Sequence, residues 1–410
     1  MPEPEEQRRF AAEVVRRLRE AGFTAYWAGG CVRDQLLGRT PKDYDVATSA
    51  VPQEIRTLFG RRRTLAIGAA FGVISVIGPQ KAGTVEVATF RRDAAYSDGR
   101  HPDSVTFSSP EEDASRRDFT VNGLFYDPVE RRVIDFVGGQ NDLAERRLRA
   151  IGNPRDRFAE DKLRMLRAVR FATVLGFSLE EKTREAVVEM APEIHAVSPE
   201  RIATEMRRLL ADPNRAAGVR LLLDVGLAGE VLPEITPTDE SAEKRTDAML
   251  SLLDRLAHEA EFPLALAAVL VSFVNVAGAE AVCRRWRLSN QETERICWLV
   301  EHHAALNNAS AMRWSSLHPL LTAEGVDDLL KLTEASLPEG ALAAEHCRRL
   351  LTGPREKLDP PPLLTGADLL ALGIPAGPKF KVILDRIRTA QLDGKIRTKA
   401  EALEKLVGGG

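Results

Sequence analysis

The chain has 410 residues, of which 44% are hydrophobic and 29% charged, with a formal net charge of −3 at pH 7. This composition is ordinary for a globular protein, and no run of eighteen apolar residues predicts a membrane span. The polar, acidic start and four scattered cysteines argue against a secretory signal, a disulfide framework and a structural zinc site. We therefore expect a cytoplasmic protein of two to four domains, because the chain is too long for one typical core.

Helix and short-strand patterns alternate through the first part of the chain. Apolar residues at helical spacing indicate a helix over residues 5–21. Strands are expected at about 24–28, 43–48, 71–78 and 83–90. A mixed sheet with few helices is the architecture that this pattern predicts.

Two aspartates, Asp43 and Asp45, are the first candidates for chemistry. Residues two apart on a strand point to the same face, so the two carboxylates are expected to meet. Two like charges so close favour a cation between them, and hard oxygen ligands suit Mg²⁺. Alone, such a pair is more often a solvated turn than a metal site. Glu86, on a later predicted strand, is a third carboxylate whose participation the sequence leaves open.

Two glycines and an arginine precede these carboxylates. Gly29 and Gly30 follow a short apolar strand and open a helical run that ends at Gly38. Glycines allow a backbone to approach phosphate closely, and a helix N-terminus attracts anions. Arg33 lies near the start of the helix, within reach of a bound triphosphate. The order of glycines, helix and carboxylates is far more specific than any of the three alone.

Residues 91–107 differ from the segments beside them, because they are polar and show no periodicity. A long irregular segment inside a compact domain is usually functional or disordered. After Asn153-Pro154 the strand patterns nearly vanish, and polar linkers at 232–247 and 352–366 divide the helical runs. The expected domains are a head, a helical neck, a helical body and a helical tail, at residues 1–150, 151–230, 231–352 and 353–410.

Four motifs in a fixed order carry a family resemblance. They are the stretch 27–48, RRDFTVNGL at 116–124, DFVGG at 135–139 and EDKLR at 160–164. Together they resemble the class II nucleotidyltransferases of the polymerase-β superfamily, which include bacterial tRNA CCA-adding enzymes and bacterial poly(A) polymerases. The resemblance is strong over the first 225 residues and looser beyond them. It implies an α+β fold, with a polymerase-β-like head and an extended all-α neck, body and tail.

The resemblance also implies a role for each matching residue. Asp43 and Asp45 would be the catalytic carboxylates and would hold Mg²⁺. The nucleotide would be bound by Gly29, Gly30, Arg33, Arg117, Asp118, Asn122, Asp161, Arg164, Arg167 and Arg170. Asp118 is expected to accept from ribose hydroxyls, whereas Arg116 is more readily a salt-bridged structural residue. In the family, the place of residues 91–107 holds a flexible loop linked to addition of the final A.

The pair Asp161 and Arg164 suggests how a base is chosen. At i, i+3 on a predicted helix the two side chains share a face, which Arg167 and Arg170 continue. Asp offers only acceptors and Arg only donors. Cytosine and adenine present a donor beside an acceptor and fit this pair, whereas uracil and guanine present the reverse and clash. A surface salt bridge is the ordinary alternative for such a pair.

The leading hypothesis is a template-independent enzyme that adds CCA to tRNA 3′ ends with CTP and ATP. Alternatives are a bacterial poly(A) polymerase, an enzyme that adds only CC or only A, and an inactive RNA-binding scaffold. The expected partners are tRNA, through its 3′ end and acceptor arm, and the two nucleotides, without a membrane or a protein partner.

Basic residues in the tail suggest phosphate contacts. Seven Lys or Arg against two Asp lie between residues 379 and 399, and Lys379, Lys381, Arg386 and Arg388 are expected to contact tRNA. A solvated helix face is the alternative interpretation of this segment. His302-His303 lacks the His-Asp pair of a hydrolase site, so a helix-end or surface role is expected there.

Overall fold

The computed structural model describes most of the chain, and it divides into two compact units, Met1–Thr236 and Pro237–Gly410. The described residues are 3–68, 72–93, 105–336 and 340–407. None of the helices within these ranges is long and apolar enough to cross a bilayer.

The first unit is built on a seven-stranded mixed sheet. The strands of the described chain are β1 (Ala25–Ala28), β2 (Asp45–Thr48), β3 (Thr64–Gly68), β4 (Val73–Ile77), β5 (Thr84–Thr89), β6 (Arg91–Asp93), β7 (Val105–Phe107), β8 (Phe125–Asp127), β9 (Arg132–Ile134), β10 (Arg147–Leu148) and β11 (Ser178–Leu179). The sheet has the order β3-β4-β5-β2-β1-β8-β9. Only the β2–β5 pair in this sheet is parallel. The expected mixed sheet of the head is confirmed.

Strand register brings Asp45 and Glu86 side by side. Asp45 of β2 lies opposite Glu86 of β5, and Ser75 of β4 continues the same row. Along β5, Val85 and Val87 are fully buried while Glu86 between them is exposed. The row that contains the two carboxylates therefore lies on the solvent-facing side of the sheet, and the other side packs into the core.

Helices surround this sheet and continue beyond it. Those of the first unit are α1 (Pro4–Glu20), α2 (Gly30–Leu36), α3 (Pro52–Phe59), α4 (Pro110–Ser115), α5 (Gly139–Ala144), α6 (Pro154–Glu160), α7 (Leu163–Leu175), α8 (Glu181–Met190), α9 (Pro199–Leu210), α10 (Arg215–Asp224) and α11 (Leu227–Val231). α1 buries Phe10, Val14 and Leu18, at the spacing that the sequence indicated. Short 3-10 turns at Arg61–Arg63 and Thr120–Asn122 complete the head.

The neck departs from the expected pattern in two places. The run from residue 154 to 177 was expected to be helical throughout, but α6 ends at Glu160 and α7 begins at Leu163. Asp161 between them has φ −148° and ψ 105°, which is an extended conformation. In addition, β11 pairs in parallel with β10, so the neck is not purely helical.

The second unit is helical throughout its described residues. Its helices are α12 (Glu240–Arg255), α13 (Phe262–Leu270), α14 (Val276–Arg285), α15 (Asn290–His302), α16 (Trp314–Leu321), α17 (Val326–Ser336), α18 (Gly340–Leu351), α19 (Arg355–Leu358), α20 (Gly366–Ala371), α21 (Pro378–Leu392) and α22 (Lys399–Val407). Near the C-terminus, α21 and α22 share a small core with the segments beside them, formed by Leu364, Ile387, Ala390, Ile396 and Ala402. The predicted all-helical second half is confirmed.

Candidate active site

Three carboxylates face solvent at the start of β2. Asp45 is the first residue of the strand, and Asp43 lies two residues before it, outside the strand that was expected to include it. Tyr44 between them is buried while both aspartates are exposed, so the predicted alternation of side chains holds. Glu86, which the sequence left open, lies directly across from Asp45 in the sheet.

The carboxylates of this site repel one another. Burial by surrounding protein atoms, followed by the charges of Asp43 and Glu86, raises the pKa of Asp45 to about 6, although Arg117 opposes the shift. The adjacent Cys31 is buried, which raises the pKa of its thiol to about 12, so it stays protonated and is no thiolate ligand. A cation would relieve the repulsion between the carboxylates.

The donor set suits a hard divalent ion. Among the described residues, no group of three or more His, Cys, Asp or Glu side chains is arranged to hold a metal by itself. Mg²⁺ needs no such cage, because it is usually held by one or two carboxylates and by water and substrate phosphates. Asp43 and Asp45 therefore fit Mg²⁺ as partial ligands.

The glycine pair leaves room for an arginine. Gly29 has φ +72°, and a Cβ at this position would lie 2.9 Å from Nη1 of Arg117. Such a contact would force the guanidinium away, and an L side chain is strained at this φ. Gly30 begins α2, in which Arg33 occupies the predicted position. The glycines thus place the start of α2 beside Arg117.

Arg117 is held by a buried carboxylate. Its Nη2 and Nε donate to Oδ2 of Asp113 at 3.0 and 3.3 Å, and its Nη1 donates to the carbonyl of Asn122 at 3.2 Å. Arg116 donates to Oδ1 of the same Asp113 at 2.9 Å. Burial acts to raise the pKa of Asp113, but the two guanidinium groups outweigh it and lower the pKa. Arg116 therefore has the structural contact expected for it.

Asp118 joins the head to α7 of the neck. Its Oδ1 accepts from the backbone N–H of Phe119 at 2.8 Å and from Nδ2 of Asn122 at 3.0 Å. Its Oδ2 accepts from Nη2 and Nε of Arg167 at 2.6 and 3.0 Å. Arg33 donates to Oδ1 of Asn122 at 2.6 Å, which extends the chain of contacts to α2. Burial acts to raise the pKa of Asp118, but Arg167 and the hydrogen bonds outweigh it and lower the pKa to about 2.

Asp161 and Arg164 do not form the helical pair that the sequence suggested. Asp161 precedes α7, where its Oδ1 accepts from the N–H of Leu163 at 3.1 Å and its Oδ2 accepts from Arg201 at 2.7 Å. Arg164 instead donates to Oε2 of Glu160 at 2.6 Å, and it is only 8% exposed. The extended backbone at Asp161 breaks the helix, so the i, i+3 geometry of a continuous helix does not apply.

The other two neck arginines are also paired. Arg167 and Arg170 lie three residues apart on α7, as expected, and both pack over the ring of Phe171. Arg170 is buried and donates through Nε to Glu205 of α9, which is 4% exposed. Arg167 donates to Asp118, and its Nη1 lies 3.6 Å from Glu205.

Several residues of this network were not found in the sequence. Arg201 and Glu205 lie on α9, about forty residues from the side chains that they contact, so no local spacing marks them. Asp113 lies close to its partners in sequence, at i, i+3 and i, i+4 from Arg116 and Arg117. That spacing was a usable signal, because such pairs meet on a helix surface.

The segment at residues 91–107, which was expected to be irregular, forms a strand at each of its two described ends. Its two ends form the antiparallel pair β6–β7, with Arg91 opposite Phe107. The loop core from Ala94 to Asp103, which the family resemblance links to A addition, lies outside the described residues.

Two groups in the second unit were also predicted. His302 ends α15, with its ring stacked on Trp298 at 4.9 Å between centroids, which fits the expected helix-end role. In the tail, Lys379 and Lys381 are exposed. Arg388, however, donates to Oδ1 of Asp359 at 2.7 Å and also to the Pro360 carbonyl and Gln391. It is thus a structural contact of the tail as well as a candidate phosphate ligand.

Sequence-family comparison matches three segments of the chain. Residues 25–149 match the poly A polymerase head domain, and residues 176–238 match the probable RNA and SrmB-binding site of polymerase A. Residues 261–407 match tRNA nucleotidyltransferase domain 2. The head match contains the carboxylates and the 116–124 motif.

Whole-chain comparisons agree with these segments. The chain is 34% identical to the CCA-adding enzyme of Enterococcus faecalis, over 96% of this chain and 94% of that protein. It is also 34% identical to the CCA-adding enzyme of Geobacillus thermodenitrificans, over 96% of this chain and 95% of that one.

Comparison with solved structures also identifies CCA-adding enzymes as similar proteins. The Bacillus stearothermophilus CCA-adding enzyme in complex with CTP superposes with a TM-score of 0.80 at 30% identity, covering 100% of this chain and 99% of that one. The Thermotoga maritima CCA-adding enzyme complexed with tRNA shares the fold, with a TM-score of 0.69 at 21% identity over 98% of this chain and 95% of that chain. The chain belongs to the family of CCA-adding enzymes, which are tRNA nucleotidyltransferases.

Proposed function

We propose that this chain adds CCA to the 3′ ends of tRNA, with CTP and ATP as substrates and no nucleic-acid template. The observation that carries the proposal is the row of Asp45 and Glu86 on an open sheet face, beside the Gly29–Gly30 turn and Arg117. Such a site presents oxygen ligands next to cations that bind phosphate. The Bacillus stearothermophilus relative has been seen with CTP and the Thermotoga maritima relative with tRNA, which supports the same substrates here.

Nucleotidyltransferases of this family generally use divalent metal ions, and we propose Mg²⁺, with Asp43 and Asp45 as its ligands. A divalent ion held by these carboxylates would lower the pKa of the attacking 3′-hydroxyl and neutralise charge on the phosphates. The protein supplies two exposed carboxylates two residues apart, and Glu86 lies directly across the sheet from Asp45. The pKa of Asp45, about 6 without a cation, leaves this ligand mostly ionised at neutral pH.

The triphosphate is proposed to lie along the start of α2. Gly29 and Gly30 permit close approach of the backbone, and Arg33 and Arg117 supply charge. Asn122 holds Arg33 through its side chain and Arg117 through its carbonyl, so the two guanidinium groups are positioned before the nucleotide arrives. Positioned cations act on phosphate without reorganising during the reaction.

The base is proposed to be read by Asp161 and Arg164. Arg201 fixes the carboxylate of Asp161, and Glu160 fixes the guanidinium of Arg164. Each of the two proposed reading groups therefore has a charged partner that holds its position. Gly29, Asp118, Arg167 and Arg170 remain proposed nucleotide-site residues, of which Asp118, Arg167 and Arg170 act through their contacts with neighbours.

The function assigned to each domain is also a proposal. The head (1–150) performs the transfer, the neck (151–230) reads the base, and the body (231–352) and tail (353–410) bind tRNA in the cytoplasm. Segment matches at 25–149, 176–238 and 261–407 support separate modules.

One experiment separates CCA addition from the related activities. Purified protein is incubated with a tRNA that lacks CCA, with CTP alone, ATP alone, UTP alone, and CTP with ATP. We expect two C additions with CTP and one further A when ATP is present. A long A tract would instead identify a poly(A) polymerase. This alternative is relevant because the head matches the poly A polymerase head domain. Addition of C or A alone would identify a partial enzyme, and no incorporation would leave an RNA-binding scaffold.

A further inference from the structure

A turn of three arginines lies outside the nucleotide site. Arg61–Arg63 form a 3-10 turn between α3 and β3, and all three side chains are exposed. A 3-10 helix has three residues per turn, so three consecutive side chains point in three directions. Within the part of the chain that the structure describes, none of the three makes an ion pair with a carboxylate. The turn therefore presents uncompensated positive charge to solvent.

Strand register places this turn at the same end of the sheet as the carboxylates. Because β2 and β5 are parallel and β4 is antiparallel to β5 and β3, the strands β2, β5 and β3 run in one direction. Asp45, Glu86, Ser75 and Leu65 form one row across them. Arg63 lies two residues beyond this row, at the end where β2 begins. Three strand spacings separate β2 from β3, which is about 14 Å.

The surface between the turn and the carboxylates is open along the strands. On β5, Thr84 and Glu86 are exposed, and on β3 the side chain of Leu65 is 43% exposed. A polymer that runs from Asp45 across this face of the sheet would reach the arginine turn. The gap of about 14 Å corresponds to roughly four phosphates of a stacked strand at 3.4 Å each.

We propose that Arg61–Arg63 bind phosphates of the RNA strand whose 3′ end is extended at Asp43 and Asp45. The inference rests on the proposed function, because it takes the substrate to be an RNA 3′ end. Guanidinium groups bind phosphate oxygens in bidentate fashion. Phosphate contacts position a nucleic acid without reading its sequence. Such contacts suit an enzyme that must accept many tRNAs with different acceptor stems.

The chain offers a matched control on the same sheet. β9 is also three strands from β2, and the exposed residues Arg131 and Arg132 lie at its start. Arg132 lies opposite Asp127 on β8, at the other end of the strands from Asp45. The control variant R131Q/R132Q therefore removes exposed charge at a similar lateral distance, without facing the proposed RNA path.

The test compares R61Q/R62Q/R63Q, R61K/R62K/R63K and the control in the full-length protein. Dissociation constants for a tRNA lacking CCA are measured across a salt series, with kcat and KM for CTP at saturating tRNA. Each lost contact to a single strand should reduce the salt slope by about 0.7. Two lost contacts give about 1.4, so the affinity deficit should be roughly 25-fold larger at 0.1 M than at 1 M salt. The lysine variant should retain most of the slope, and KM for CTP should stay within about twofold in every variant.

Two outcomes would overturn the assignment. One is a glutamine variant that binds tRNA with the affinity and salt slope of the control. The other is a glutamine variant whose KM for CTP rises while its affinity for tRNA stays unchanged. Circular dichroism establishes that each variant is folded. A wild-type protein that adds no nucleotide would contradict the proposed function itself, while the binding series would still decide whether the turn holds RNA.

Discussion

Replacing Asp161 with alanine tests base selection. Because the structure shows Asp161 paired and partly buried, the replacement should also lower the stability of the fold. The Asp161 carboxylate accepts from Arg201 at 2.7 Å in a pair whose side chains are 15% and 22% exposed. It also accepts from the N–H of Leu163 at the start of α7. Loss of such a cap costs about 1 kcal/mol, and loss of a charged hydrogen bond about 1.5–3 kcal/mol. The free energy of unfolding should therefore fall by roughly 2–4 kcal/mol, rather than stay unchanged as for an exposed pair.

The same replacement should weaken discrimination between CTP and UTP. Without the carboxylate, the exocyclic amine of C or A loses its acceptor, and the carbonyl of U is no longer repelled. A polar contact of about 1–3 kcal/mol corresponds to roughly a 5- to 150-fold change. The ratio of kcat/KM for CTP over UTP should fall by this factor in Asp161→Ala, chiefly because CTP is used less well. The assay measures single additions to a tRNA lacking CCA.

Arg201→Ala provides the matched control. It removes the same ion pair but keeps the carboxylate, so it should lower stability while reducing the CTP-over-UTP ratio much less than Asp161→Ala does. Arg201→Lys should restore part of the stability, because a cation is retained. If Asp161→Ala is folded by circular dichroism and keeps the wild-type ratio, the base is selected elsewhere and the assignment of this carboxylate is wrong.

Four further perturbations test the carboxylates, the loop core and the tail. Asp43→Ala or Asp45→Ala should abolish incorporation of C and A while tRNA binding stays near wild type; activity above a tenth of the wild-type rate in either variant contradicts the carboxylate assignment. Asp45→Asn should also raise the melting temperature of metal-free protein at pH 7, because burial and Asp43 raise the pKa of Asp45 to about 6 and make its charge unfavourable in the folded state. The gain should fade as the pH falls from about 6 to about 4, because the folded protein takes up that proton first, and it should vanish below about pH 4, where the unfolded chain holds the proton as well. Deleting Ala94–Asp103 should spare the two C additions and impair the final A, whereas equal slowing of both would reject a switching role. Reversing the charges of Lys379 and Lys381 should weaken tRNA binding at low salt and flatten its salt dependence, and a variant that binds with the wild-type affinity at every salt concentration would exclude this surface.

The carboxylate site could be predicted because its signal is local. Alternation along an extended backbone puts Asp43 and Asp45 on one side whether or not both residues belong to the strand. The partnership of Asp45 with Glu86 depends on the parallel register of β2 and β5. No residue type near Glu86 specifies that register, since the strands are joined through two others and a helix. The sequence therefore suggested Glu86 as a third carboxylate but could not predict that it lies beside Asp45.

The geometry of the neck could not be predicted, because long-range contacts override local preference there. Residues 160–164, EDKLR, contain good helix formers, and their pattern predicts a continuous helix. In the folded chain, the Asp161 carboxylate accepts from Arg201, forty residues away, and from the N–H of Leu163. Aspartate readily competes for backbone N–H groups at helix starts. A weak local preference and a strong distant partner together break the helix at this residue.

The contacts of Asp118 show how the two ends of the proposed nucleotide site are held in one frame. Arg33 donates to Asn122, Asn122 donates to Asp118, and Arg167 of α7 donates to the other oxygen of Asp118. One chain of hydrogen bonds thus joins a proposed triphosphate ligand to the helix that follows Asp161. With a pKa of about 2, Asp118 stays charged at neutral pH, so protonation does not interrupt the chain. If this protein selects bases as proposed, it must read the base while the α-phosphate stays fixed relative to the carboxylates, and the contacts of Asp118 would connect the two parts of that site.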